Sequence, residues 1–386
     1  MSEKSYDVAV VGAGMFGSAA ARYLSAAGLQ TLVIGPAEPE NWSAHTGVFA
    51  SHYDEARITR VVDPDPLWGE LAARSIEQYP VIEEKSGIRF HSPVGCLRVE
   101  DLNEDGSSAQ QGGIVHGRSQ GAIFEVLSAS QTAQGFPGVH FPRNVDAVWE
   151  CGAAGYINPR RLVAAQLHIA QQQGAELVRQ TVQEINPGED AVEIKTREGQ
   201  AYHAAKVLVA AGAYSKFLSG ETHPAWVAHL VQVLLAEVEG PMPELPCIIY
   251  CMKGHPLLDH VYLLPPVLYP DGKWYLKIGS FMHQPRQAHD ALAIQNWFAQ
   301  APEDEETAAT RQVLKEILPD LKMLSSHTKP CVWTFSPQTQ PIVKVVEGAD
   351  SKGRIVVASG DCGRAAKSSD AIGKWGAELL VGYSLS

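Results

Sequence analysis

Long apolar runs are missing from this chain of 386 residues. Each candidate is broken by glycine, proline or charge short of the roughly 18–20 residues that cross a bilayer, so no membrane span or membrane partner is expected. Positive charge is also scarce: 31 Lys and Arg stand against 43 Asp and Glu, a formal net charge of −12. Such a surface repels phosphates, which excludes nucleic acid as a natural partner. The six cysteines, Cys96, Cys151, Cys247, Cys251, Cys331 and Cys362, lack the paired spacing of a zinc site or a small disulfide framework, so no metal is expected and a buried free thiol is their default state. The opening Met1-Ser-Glu-Lys-Ser-Tyr-Asp shows neither a basic segment nor a small-residue cleavage site, and a cytoplasmic protein is the expectation.

With 45% hydrophobic and 19% charged residues, a disordered or fibrous chain is set aside. The length suggests two domains of unequal size, with room between them for a cleft that excludes water. Asp7 to Val11 is a short apolar, β-rich run, followed at once by Gly12-Ala-Gly14-Met-Phe-Gly17 and an Ala-rich helical stretch to about Ala27. Gly28 stops that helix, and Leu29 to Ile34 reads as the fully buried strand of a parallel sheet. A second helix is predicted over Leu67 to Gly87, where Leu71, Ile76, Tyr79 and Ile82 recur at helical spacing. Glu100 to Gly121 is polar and rich in Gly and Ser, the composition of an exposed excursion.

Asn158 is placed to cap another helix that Pro159 opens. Strands follow at Ala175 to Val178, Val192 to Ile194 and Ala201 to Val209, the last running into Ala210-Ala-Gly212-Ala, small residues that let a ligand approach the backbone. Trp226 to Trp297 reads mostly as strands, and Glu303 to Leu318 as a helix. A final strand, Arg354 to Ala358, leads through Ser359-Gly360 to a last helix from about Lys367 to Val381.

Gly12-x-Gly14-x-x-Gly17 between a strand and a helix is the fingerprint of dinucleotide binding. The first glycine makes the tight turn, the second admits a pyrophosphate to the backbone, and the third lets helix and strand pack closely. The helix N-terminus adds free N–H groups and a partial positive charge. One part is absent: where an acid would bind the adenosine ribose stand Gly35 and Pro36. Glu38 and Glu40 lie slightly beyond and are candidate substitutes, although both read first as solvated loop carboxylates. No arginine waits there for a 2′-phosphate, which disfavours NADP.

Ser51-His52-Tyr53-Asp-Glu-Ala-Arg57-Ile-Thr-Arg60, directly after this unit, resembles the matching region of the sarcosine oxidase and N-methyltryptophan oxidase group of the glycine/D-amino-acid oxidase superfamily. Gly155-Tyr-Ile-Asn-Pro, Ala210-Ala-Gly-Ala-Tyr, Trp274-Tyr-Leu-Lys277-Ile-Gly, Cys331-Val-Trp-Thr and Ser359-Gly360 match in the same order. The resemblance implies an α/β fold: an FAD-binding Rossmann-like domain of the GR2 type with a second, antiparallel-sheet α+β domain for the substrate. By it, residues 1–90, 150–222 and 325–386 bind FAD, and residues 91–149 and 223–324 form the substrate domain.

The same resemblance assigns Arg60 and Lys367 to a substrate carboxylate, for which a rigid guanidinium fork and a point charge are suited. Without it, Arg57 and Arg60, three apart, read as a salt-bridged face. It makes Lys277 the lysine that activates oxygen, Cys331 the thioether link to the flavin 8α-methyl, and Trp333 and Tyr262 active-site aromatics. Ser51, His52, Arg57, Gly360 and Lys367 join the three glycines as cofactor contacts. After Ser359-Gly360 the chain departs from the family, and Asp361 would oppose the charge of a reduced flavin unless Arg364 compensates. The activity implied is oxidation of an amino acid or N-alkyl amine by a monomer, with O2 reduced to H2O2. A flavin dehydrogenase with another acceptor and a non-catalytic dinucleotide-binding module are the alternatives.

Overall fold

The structure is a computed structural model that describes residues 5–42, 44–108, 110–218, 226–300, 303–346 and 352–385. The expected domain boundary at 222/223 lies outside the described residues. Strand β1 (Ser5–Val11) enters helix α1 (Met15–Ala26), which returns to strand β2 (Thr31–Ile34), as the glycine pattern predicts. β1 lies between parallel neighbours, β2 on one side and Ala201–Val209 on the other. Parallel strands Glu176–Val178 and Ile355–Ser359 extend the layer on either side. Val8 and Val10 pack under α1, while Tyr6, Ala9 and Val11 enter a second core on the opposite face. Burial on both faces explains why these strands read as continuous apolar runs rather than alternating ones.

Helix α2 (Pro66–Ser86) matches its predicted span. Asp65 caps it by accepting from Leu67 N at 2.9 Å, and Gly87 closes it in the left-handed conformation. Asn158 likewise caps Pro159–Gln172 through Arg161 N at 3.0 Å. A small sheet of Arg57–Thr59, Gly155–Ile157 and His91–Ser92 fixes the segment that carries Arg57 and Arg60.

A nine-stranded sheet is antiparallel except where Cys96–Asp101 runs parallel to Cys247–Cys251. Its strands alternate. Leu97, Val99, Ile248, Tyr250, Val261, Leu263 and Ile278 pack into a core with Val313, Leu314 and Ile317 of helix Glu305–Ile317. The residues between them face the other way, toward a cavity.

Two expectations are corrected. The polar stretch from Glu100 to Gly121 contains helix α3 (Gln111–Ser119), whose Ile114 packs with Val62 and Val148. Its glycines lower helix propensity, but Gly117 sits where a Cβ would fall 2.8 Å from Val62, so close packing outweighs propensity. The strand-rich region ends in a helix, Ala291–Ala299, capped by Asp290 through Ala293 N at 2.7 Å. Among the described residues no helix is long and apolar enough to cross a membrane, and no group of three or more His, Cys, Asp or Glu side chains is arranged to hold a metal. All six cysteines are free thiols.

Candidate active site

A cavity of about 480 Å³ runs from the turn after β1 to a chamber walled by the nine-stranded sheet. At the first end β1 and Ala201–Val209 stop side by side, at the C-terminal edge of a parallel sheet, where open α/β folds bind ligands. Gly12 has φ +109°, and a Cβ there would fall 2.3 Å from the Ala210 carbonyl oxygen. Gly14 is the N-cap of α1, no side chain caps that helix, and the space beside Gly14 holds only His52 Nδ1, 3.6 Å from where a Cβ would lie. Burial, with Arg160, Arg179 and Arg57 nearby, pushes His52 down to about 3, so its ring is neutral at physiological pH.

Glu38 pairs with Arg160, Nε to Oε2 2.7 Å, and Arg160 also binds Glu55, while Glu40 is exposed. Ser51 Oγ donates to the Val332 carbonyl at 2.7 Å, tying the loop after β2 to the strand that carries Cys331. Gly360 does not border the cavity. It turns at φ +77° toward Ile342, while Ser359 and Asp361 on either side line the wall.

Asp54 organises the buried cations behind that loop. It accepts from Lys277 Nζ at 2.9 Å, from Tyr269 Oη at 2.8 Å and from Arg57, which also donates to the Ser51 carbonyl at 2.9 Å. Lys277 is fully buried on the cavity side of Trp274–Met282, yet its ammonium turns to Asp54 and the Ala56 carbonyl rather than into the open space. Burial drives its affinity for a proton well down, and Arg57 adds to the effect. Lys329 donates to the Tyr53 carbonyl at 2.6 Å over the Trp42 ring, and burial lowers it to about 7.

Asp63 does the same at the chamber. Arg60, Arg364 and Lys367 approach its carboxylate at 3.0, 3.3 and 3.3 Å, and Lys367 also donates to the Trp68 carbonyl at 2.9 Å. Arg60 and Lys367, the two residues expected at a substrate carboxylate, are therefore together, but around an internal acid. Lys367 is pulled down to about 8 by burial, against the attraction of Asp63. Asp63 is held far below the usual carboxylate range by Lys367, Arg60 and Arg364, which outweigh its own burial. The expected charge partner of Asp361 is thus engaged elsewhere. Asp361 instead accepts from Thr334 Oγ1 at 2.6 Å and Thr334 N at 2.8 Å, and burial raises its proton affinity.

Aromatic rings form the far wall. His260 stacks on Phe281 at 3.8 Å, Phe281 lies 4.3 Å from Trp333, and Trp333 lies 6.5 Å from Tyr262. Tyr262 covers Gly279, where a Cβ would fall 2.4 Å from its hydroxyl, so glycine at 279 is what lets the tyrosine lie flat. Cys331 is buried two residues from Trp333, its Sγ 3.7 Å from Arg57 Nη2.

A family model described as DAO, FAD dependent oxidoreductase, matches residues 7–379. The chain belongs to this family. It is 26% identical over 396 residues to the monomeric sarcosine oxidase of Arthrobacter sp. (strain TE1826), covering 98% of this chain and 93% of that protein. It is 25% identical over 389 residues to the N-methyl-L-tryptophan oxidase of Salmonella typhi, covering 99% and 96%. The solved structure of NikD, an unusual amino acid oxidase essential for nikkomycin biosynthesis, matches with a TM-score of 0.77 at 22% identity over 98% of this chain and 94% of that one. L-Proline dehydrogenase from P. horikoshii gives 0.76 at 18%, over 99% and 94%. These two show the shared fold.

For a DAO-family chain, the cavity suits the cofactor. The open space beside Gly14, the uncapped start of α1 and the close turn at Gly12 fit a pyrophosphate, and the cavity continues from there to the chamber. Sequence reasoning missed Asp54, Asp63, Arg98, His260 and Phe281. The last two were within reach, since strand alternation from Tyr262 and Lys277 points to residues 260, 279 and 281. Asp54 and Asp63 carry no signal of their own. Each becomes a hub only when residues hundreds of positions away converge on it.

Proposed function

We propose that this DAO-family protein oxidises an amino acid or N-alkyl amine to the imine and passes the electrons to O2, forming H2O2. The observation that carries the reading is the single cavity that joins the glycine turn to a chamber with Arg60 and Lys367 on one wall and Tyr262, Phe281 and Trp333 on another. When bound, FAD supplies the acceptor for a hydride from the carbon beside the amine nitrogen. Arg60 and Lys367 hold the substrate carboxylate in exchange for part of their hold on Asp63. Tyr262 and Trp333 form an apolar wall that orients the amine and keeps water from it. Cys331 is the point of covalent attachment, and Lys277 supplies positive charge where O2 is reduced. The parallel layer serves the cofactor and the nine-stranded sheet the substrate, divided near the boundaries given above. A cytoplasmic monomer is part of the same reading.

One observation favours a second reading, a dehydrogenase with another acceptor: Asp54 holds the Lys277 ammonium at 2.9 Å and offsets its charge. Acid precipitation tests the first reading. Yellow colour retained in the pellet, and lost from it in Cys331→Ala, is expected, together with anaerobic bleaching by N-methyl amino acids. Recombinant protein that takes up no flavin defeats both readings. Lys277→Met is expected to slow reoxidation by air at least 100-fold and to leave anaerobic reduction nearly intact. Equal reoxidation in wild type and variant, with fast reduction of a quinone dye, selects the dehydrogenase.

A further inference from the structure

The cations of the chamber are not equally satisfied. Arg60, Arg364 and Lys367 share Asp63, and Arg57 and Lys277 share Asp54. Arg98 has no such acid. It lies mid-strand in Cys96–Asp101, opposite Ile249 on one side and Val148 on the other, so its immediate cross-strand neighbours are apolar. It lines the cavity together with Ile249, Cys251 and His260, and its Nε is buried without a hydrogen-bond partner. Among the described residues no carboxylate lies within ion-pair distance of it. Asp259, the cavity acid whose carboxylate Arg98 helps to hold below its usual range, is bound by His260 Nδ1 at 2.7 Å and otherwise faces solvent. Asp361 is taken by Thr334.

A guanidinium on the cavity wall with apolar cross-strand partners and no carboxylate within ion-pair distance is incompletely neutralised, and a ligand that brings the anion completes its pairing. Its planar fork presents paired donors that match a carboxylate in two parallel bonds. We infer that Arg98 binds a second acidic group of the substrate, so that the preferred substrates are dicarboxylic: amino acids with an acidic side chain or an acidic N-substituent. This rests on the proposed function, in which Arg60 and Lys367 take the first carboxylate. Neutral N-methyl amino acids leave Arg98 facing an apolar group and bind more weakly.

The test is anaerobic reduction of the flavin-loaded protein by N-methyl-L-glutamate and by its neutral isostere N-methyl-L-glutamine. The half-saturating concentration is expected to be 10- to 100-fold lower for the glutamate, the range of hydrogen bonds to charged groups. Arg98→Gln is expected to bring the ratio of the two to about 1, and Arg98→Lys to restore part of it, with bound-flavin absorbance and melting temperature as the check on folding. Equal half-saturation in the wild type, or a preference that survives Arg98→Gln, overturns the inference. Binding of glutarate and its monoamide, followed by the shift in the flavin spectrum, separates the two readings. A preference for glutarate that depends on Arg98, without reduction by either amine, supports the Arg98 site and overturns amine oxidation alone.

Discussion

Lys329 and Lys367 are both buried lysines, and their surroundings set opposite tests. Lys329 is lowered to about 7, below the 10.5 of a free lysine, so the folded state loses its proton first. Between those values the unfolded chain binds more protons, and stability therefore rises with pH across that window. Below about pH 7 the full cost of the buried charge is present. Lys329→Met is expected to stabilise the protein by about 1 kcal/mol at pH 6 and by less at pH 9, as read from urea unfolding at the two values. Lys367, lowered to about 8, is charged below that pH and neutral above it. Carboxylate ligands should accordingly bind less tightly as pH rises through 8, roughly 10-fold less by pH 9.5, with Arg60 keeping the remainder; spectral titration of the bound flavin measures it. A flat profile assigns the carboxylate elsewhere. That Arg60 and Lys367 stand together on the cavity wall was expected by position from the resemblance, whereas Asp63, in Asp63-Pro64-Asp65, looks in sequence like ordinary helix-start chemistry.

Helices and strands differ in how openly they announced themselves. β1, α1 and β2 were readable because strand, glycine turn and Ala-rich helix each impose a distinct residue pattern, and all three agree. α3 was hidden because Gly113 and Gly117 serve close packing: a Cβ on Gly113 would fall 3.3 Å from the Asp63 carbonyl carbon, and one on Gly117 2.8 Å from Val62. Propensity scales see only the glycines. At the strand Trp274–Met282 the position of Tyr262 depends on one missing side chain, that of Gly279. Gly279→Ala should tilt the tyrosine into the chamber and raise KM for the amine on the order of 10-fold, with flavin content unchanged. An unaltered KM would show that the ring contributes nothing to binding.

Over the whole molecule, the cavity is bounded by both large sheets, and residues from Val11 to Lys367 contribute to its wall. That assembly was legible only as an order of motifs, since no local pattern shows that Arg60, Trp333 and Lys367 meet. A ligand gripped by both layers should stabilise the entire fold: Cys331→Ala protein, which holds FAD reversibly, is expected to melt lower when stripped of flavin than when loaded and to regain about 2.7 kcal/mol when FAD is supplied at 100 times its dissociation constant. Calorimetry of the two forms decides it, and identical melting would mean that the layers unfold independently of the site. Asp63, finally, behaves as a built-in decoy. Because it already occupies the cations proposed to take an incoming acid, docking on that reading is a swap of one carboxylate for another rather than a capture from empty space. On that reading the swap would keep the chamber's charges balanced with or without a substrate bound.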